Sequence, residues 1–159
     1  MRIEQRIAEL GLELPEPLTV PPEAILPFPW VRVFGDRAFA SGHGPLLPDG
    51  SLSAPLGKVG TDVTAEEAYL AARRVALAML SSLRLALGDL DRITGWLRVF
   101  GMVNTAPGFT EAPAVVNGFS DLILELWGPE LGSHARSAIG VAELPFRIPV
   151  EIEAEVAIR

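Results

Sequence analysis

The chain contains no cysteine. Disulfides, thiolate nucleophiles and cysteine-ligated metals are thereby excluded. Histidine is almost as scarce. Only His43 and His134 occur, too few for a multi-histidine centre, so no metal is expected. Two isolated histidines read as structural or solvent-facing side chains. Positive charge is also short: 13 Lys and Arg face 20 Asp and Glu, giving a net charge of −7 and a pI near 4.8. That balance opposes strong nucleic-acid binding, which needs basic surface to displace counterions from phosphates. It equally opposes a polybasic membrane contact, while leaving room for a small local basic pocket. No apolar run reaches the length of a membrane span, and the richest, 75–87, is interrupted by Ser81, Ser82 and Arg84. The stretch MRIEQRIAELGLELPEP carries acids throughout and lacks the apolar core of a signal peptide. A cytoplasmic protein is the expectation.

What is present suits one ordinary domain: 159 residues, of which 49% are apolar, are enough to build a real core. No internal repeat or linker divides the chain, so 1–159 reads as a single domain. Residues 1–10 read as a short helix ended by Gly11, followed by a proline-rich extended approach. WVRVFGDRAFASG reads as a hairpin turning at Gly35-Asp36. Thr64 and Glu67 have the capping-box spacing, which predicts a helix to Leu87 with Gly88 as its stop. ITGWLRVFGMVN, 93–104, reads as a strand with Leu97, Val99 and Val103 on one face. A second long helix is predicted over 113–127, ended by Gly128-Pro129, with Val115, Phe119, Leu122 and Leu126 as its apolar stripe. Two more strands follow, 137–143 and 149–158. If they are antiparallel neighbours, LPFRIP connects them. The order predicts an α+β fold in which two helices cover one face of a mixed sheet. The other face then needs cover, which oligomerisation naturally provides.

Few motifs carry chemistry. GSLSAPLGKVG resembles a phosphate loop, but no Gly lies five residues before Gly57 and Lys58 is followed by Val, so a nucleotide-binding loop is rejected. A turn-rich surface or active-site loop remains. Ser41 lacks the Gly-x-Ser-x-Gly elbow of hydrolases and reads as a strand-end serine satisfying backbone groups. Glu151, Glu153 and Glu155 alternate with apolar residues, the usual pattern of a half-solvated strand. Arg136 stands out within HARSAIGVAELP, which is otherwise small and apolar after it. A planar guanidinium grips a carboxylate with two parallel hydrogen bonds. The small Ser137 and Ala138 beside it leave backbone amides accessible to a ligand.

ARSAIGVAELP followed by VEIEAEVAI resembles the C-terminal signature of the RidA/YjgF family, the reactive-intermediate imine deaminases, also named endoribonuclease L-PSP. ASGHGP resembles that family's Ser-Gly-Gln segment, and AILPF the segment whose aromatic residue closes the pocket. The likeness runs from about residue 20 to the end. GKVGTDVT, GDLDRI, VFGMVNTAPGFTEAP, VVNGFSDLILELWG and HARSAIGVAELP together resemble a longer bacterial branch. Residues 1–20, as an N-terminal extension, and a stretch around 104–112 exceed the short deaminases. The resemblance implies a chorismate-mutase-like fold and a homotrimer with clefts between subunits. It also implies hydrolysis of small 2-imino or 2-enamino acids to 2-keto acids and ammonia, without a cofactor. By the same resemblance Arg136 holds the substrate carboxylate and Glu151 positions or activates the attacking water. Phe28, Ser41, Gly42, His43, Ser137 and Ala138 complete the substrate site. Ala138 stands where many relatives carry cysteine, Phe28 where tyrosine is common, and His43 in place of glutamine, where it offers an acid or base near neutral pH. Two other readings are a non-catalytic trimer that binds 2-keto acids and, against the charge balance, an endoribonuclease.

Overall fold

The Thr64 side chain accepts from the Glu67 amide while the Glu67 carboxylate accepts from the Thr64 amide, both at 3.1 Å. This reciprocal cap starts the longest helix of the chain, as its spacing predicts. The structure, a computed structural model, describes residues 2–18 and 20–159. In chain order it holds α1 (Arg2–Glu9), β1 (Val31–Phe34), β2 (Arg37–His43), α2 (Ala65–Leu87), β3 (Ile93–Asn104), α3 (Ala112–Leu131), β4 (Ala135–Val141) and β5 (Val150–Ile158). Short 3-10 turns stand at Leu90–Arg92 and Pro145–Arg147. No helix among the described residues is long and apolar enough to cross a membrane.

The strands form one mixed sheet in the order β1-β2-β5-β3-β4. β3 and β4 are parallel, joined through α3, and the remaining pairs are antiparallel. β4 and β5 are therefore not neighbours. The crossover through α3 returns the chain beside β3 in the same direction and occupies that edge. β5 then enters on the other side of β3, where it gains two strand partners. Its strict alternation fits that central place, with Val150, Ile152, Val156 and Ile158 buried.

α2 and α3 pack on one sheet face. The predicted stripe of Val115, Phe119, Leu122 and Leu126 is buried there against α2 and the sheet. Gly118 permits the close approach of the two helices, since a Cβ at that position would lie 2.0 Å from Tyr69 O. The end of α3 differs from the expected stop. Gly128 leaves helical geometry (φ 78°, ψ 173°), and one further turn continues past Pro129 to Leu131.

β3 corrects one sequence expectation. Leu97 does not share the buried face of Val99 and Val103. Trp96 pairs with Val156 and Arg98 with Glu155, so Leu97 is the extra residue of a bulge and is exposed. Trp96 goes inward instead, edge-on to Phe119 and Trp127 with ring centroids 5.8 and 5.4 Å away. α1 buries Ile3 and Ile7 in the same core. Its first amides are held by the Asp91 carboxylate, at 2.9 Å from Arg2 N and 3.0 Å from Ile3 N.

Among the described residues no helix lies on the second sheet face. By register it presents Phe39, Phe100, Met102 and Ile139 among Arg98, Glu151, Glu153 and Glu155. Phe39 and Ile139 are 40% and 43% exposed, an apolar surface that a stable fold normally covers.

Candidate functional site

Arg136 sits near the start of β4, at the sheet edge, in register with Val99. That register turns its side chain toward α3. Nη1 donates to Asn117 Oδ1 at 2.8 Å and to Ser120 Oγ at 3.1 Å, and Nη2 donates to Pro113 O at 3.3 Å. All three acceptors are neutral, and among the described residues Arg136 has no carboxylate partner. Its fork is aimed and its charge is uncompensated, which is the arrangement an anionic ligand requires.

His134 belongs to this network. Its Nδ1–H donates to Gly132 O at 2.7 Å, so Nε2 accepts from Ser120 Oγ at 2.9 Å. Ser120 then offers its lone pairs to Arg136. Burial, assisted by the Arg136 charge, pulls the His134 pKa below the usual histidine value, which keeps the ring neutral as this pattern demands. Asn117 and Ser120 were not legible as site residues. The available signal was polarity at positions flanking the apolar stripe of α3, where a buried Ser120 needs a partner.

Glu151 lies elsewhere. It pairs with Met102, on the face without helices, whereas Arg136 lies in the row of Val99 and Ala154 on the helix face. β3 separates them, so one chain does not bring the two together. Glu151 is half-buried beside Gly42, where a Cβ would fall 2.6 Å from its Oε2. It has no hydrogen-bond or ion-pair partner among the described residues. Burial, and secondarily the Glu153 charge, push its pKa above the usual carboxylate value. The carboxylate is thus a stronger base than a solvated glutamate.

The remaining expected residues divide between these two places. Ala138 follows Arg136 on β4, in register with Gly101, half-buried against the core. Ser137 pairs with Phe100 and points to the open face. Ser41 donates its hydroxyl to Pro29 O at 2.8 Å and its amide to Trp30 O at 2.9 Å, which makes it a tether for the approach to β1. Phe28 is 46% exposed and stands edge-on to Trp30, which in turn contacts the His43 ring. His43, expected as an acid or base near neutral pH, is instead buried with both ring nitrogens hydrogen-bonded. It is 6% exposed, with Nδ1–H donating to Ser41 O and Nε2 accepting from Ser82 Oγ at 2.8 Å. Burial lowers its pKa to about 4. A bulge between Ala40 and His43 turns the ring inward and leaves Gly42 facing Glu151.

Among the described residues one group of carboxylates, Glu4, Asp89 and Asp91, is close enough to hold a metal. Asp91 and Asp89 are occupied with the amides that start α1 and the following 3-10 turn.

Comparison with known proteins agrees with this architecture. Residues 4–148 match the family described as "YjgF/chorismate_mutase-like, putative endoribonuclease". A curated relative, Protein TCP17 of Trypanosoma cruzi, is 48% identical over 100 residues, 63% of this chain; the chain covers 62% of that relative's length. A crystal structure of a protein with unknown function from Agrobacterium tumefaciens is 37% identical and superposes with a TM-score of 0.85, covering 98% of this chain and 91% of that one. A "putative endoribonuclease" from Shewanella oneidensis is 30% identical with a TM-score of 0.89, over 98% and 99% of the two chains. With its five-stranded mixed sheet and two long helices on one face, the chain belongs to the YjgF/chorismate-mutase-like family.

Proposed function

We propose that this protein hydrolyses small 2-imino or 2-enamino acids to 2-keto acids and ammonia, in a cleft formed between two copies of the chain. The observation that carries this reading is the Arg136 guanidinium, oriented by Asn117, Ser120 and Pro113 yet lacking an anionic partner among the described residues. It suits a substrate carboxylate held by two parallel hydrogen bonds. Glu151, Gly42 and Phe28 of a neighbouring copy supply the other wall, since a single chain keeps Glu151 away from Arg136.

The chemistry asks little of the protein. An imine carbon is already electrophilic, so orientation and a base for water provide most of the acceleration. Water adds to that carbon as Glu151 takes its proton. That proton passes to nitrogen, giving a hydroxy-amine adduct. Glu151 then takes the adduct's hydroxyl proton and delivers it to the same nitrogen as the C–N bond breaks, so that the carbonyl forms and ammonia leaves. Ala138 contributes only backbone groups at the carboxylate end. His43 holds the Gly42 segment in place and exchanges no proton. No cofactor enters these steps. Cleavage of RNA is poorly served by a net charge of −7 and two neutral, hydrogen-bonded histidines.

A coupled assay tests the reading. A threonine dehydratase generates 2-iminobutyrate, and formation of 2-ketobutyrate is followed with wild type, Arg136→Ala and Arg136→Lys. Acceleration by wild type alone is the expected result. Acceleration by all three moves the site away from Arg136. Saturable binding of 2-ketobutyrate without any acceleration identifies a keto-acid-binding protein instead.

A further inference from the structure

The glycine-rich GKVG turn and the stretch after Asn104 take no part in the Arg136 site, yet they lie against each other. Val59 N–H donates to Asn104 O at 2.7 Å, and Ala106 N–H to Val59 O at 3.0 Å. The turn is tightly tied. Lys58 O accepts the amides of Asp62 and Val63 at 2.8 and 3.0 Å, and Lys58 N–H donates to Asp62 Oδ2 at 2.9 Å. Lys58 therefore rises from fixed backbone, and its side chain reaches the C-terminal ends of β3 and β4. There Nζ donates to Asn104 Oδ1 at 3.0 Å and to Ala142 O. Asn104 is 1% exposed and donates from Nδ2 to Ile148 O at 3.4 Å, so its orientation is set from inside the fold.

An ammonium has three donors, and among the described residues the fold satisfies two of them. The nearest charge is Glu143 Oε1 at 3.6 Å, beyond hydrogen-bond distance. The Glu143 side chain is 77% exposed. A groove of about 470 Å³ opens beside this pair, walled by Thr105, Pro107, Phe109 and Val141. That size falls in the range of small-molecule sites.

We propose that this groove binds a free α-amino acid, with its carboxylate on Lys58, its ammonium on Glu143 and an apolar side chain against Pro107 and Phe109. The charges select the class. A simple carboxylate meets Lys58 but is repelled by Glu143; a simple amine meets Glu143 but is repelled by Lys58. A zwitterion satisfies both. The site is separate from the proposed catalytic one: Arg136 pairs with Val99, whereas Val141 pairs with Asn104. Five strand residues correspond to roughly 16 Å.

Isothermal titration of the intact protein with L-leucine, 4-methylpentanoate and 3-methylbutylamine tests this. L-Leucine binds saturably, and each one-charge analogue binds at least about tenfold more weakly. Lys58→Met and Glu143→Gln each weaken L-leucine by about tenfold or more, while Arg136→Ala leaves it unchanged. Glu143 is exposed, so Glu143→Gln keeps the test valid should Lys58→Met fail to fold, as a thermal melt would show. Absence of saturable heat up to about 10 mM L-leucine overturns the proposal. So does equal binding of 4-methylpentanoate, unchanged affinity in Glu143→Gln, or loss of binding in Arg136→Ala, which would move the ligand to the deaminase cleft.

Discussion

His43 and Glu151 are both drawn out of their ordinary titration ranges by burial, with opposite consequences for stability. Between about pH 4 and 6.5 the unfolded chain binds a proton on His43 that the native chain refuses. Stability therefore falls as pH drops through that window, by up to ~1.4 kcal/mol per pH unit. His43→Gln removes this proton, and urea melts from pH 7 to 4 should show a shallower loss than wild type. An unchanged slope would mean that His43 is not the responsible group. For Glu151 the native pKa is raised, so the native chain holds a proton to higher pH than the unfolded chain does. Ionising it above that range costs stability. Glu151→Gln should raise Tm by roughly 1–4 °C at pH 7.5, with the gain vanishing near pH 4. The same variant should lose imine hydrolysis, separating stability from activity. At this scale the sequence was informative where residue type alone sets chemistry. Arg136 was conspicuous as a guanidinium in a small, apolar strand. Asn117 and Ser120, which aim it, come from 19 and 16 positions earlier and become its neighbours only when α3 packs on β4.

Elements were legible where their signals are local. The capping box at Thr64, the Gly35-Asp36 hairpin and the 93–104 strand all depend on residues within a few positions of one another, and the structure has them. The Leu97 bulge was not legible, because an extra residue is defined by the partner strand. Period-2 counting through 93–104 assumes no insertion, and pairing with β5 overrides it. The contact of α2 with α3 has a similar origin: Gly118 looks like a helix-weakening residue until Tyr69 O is seen beside it. Gly118→Ala should cost about 3 kcal/mol or more, since a backbone carbonyl yields less than a side chain and overpacking of movable neighbours already costs 1–3 kcal/mol. Chemical denaturation measures it. A cost below about 0.5 kcal/mol would show that the helices separate freely there.

For the whole molecule the uncovered sheet face is the main open feature. Phe39, Phe100, Met102 and Ile139 are interleaved with charges, a surface suited to another copy of the chain, and the proposed cleft requires one. Sedimentation should find the wild-type chain self-associated. Phe100→Glu adds a charge beside Glu153, its partner in register, and should shift the population toward monomer and abolish imine hydrolysis without altering the core. A monomeric wild type with full activity would refute the shared cleft. The hollow on this face, about 290 Å³ between Phe39, Phe100, Arg98, Glu153 and Glu155, includes neither Arg136 nor Glu151, so it serves association better than catalysis.

Composition and local pattern determined by themselves that the chain builds one apolar core under an α+β order of elements, without thiol chemistry and with a net negative charge. They also marked Arg136. Those properties follow from residue type and from contacts a few positions apart. Strand order, the placement of β5 between β2 and β3, the inward turn of Trp96 and the withdrawal of His43 from solvent were decided by tertiary structure. So was the separation of Arg136 from Glu151 within one chain, because sheet register and helix packing join residues that sequence spacing leaves unrelated.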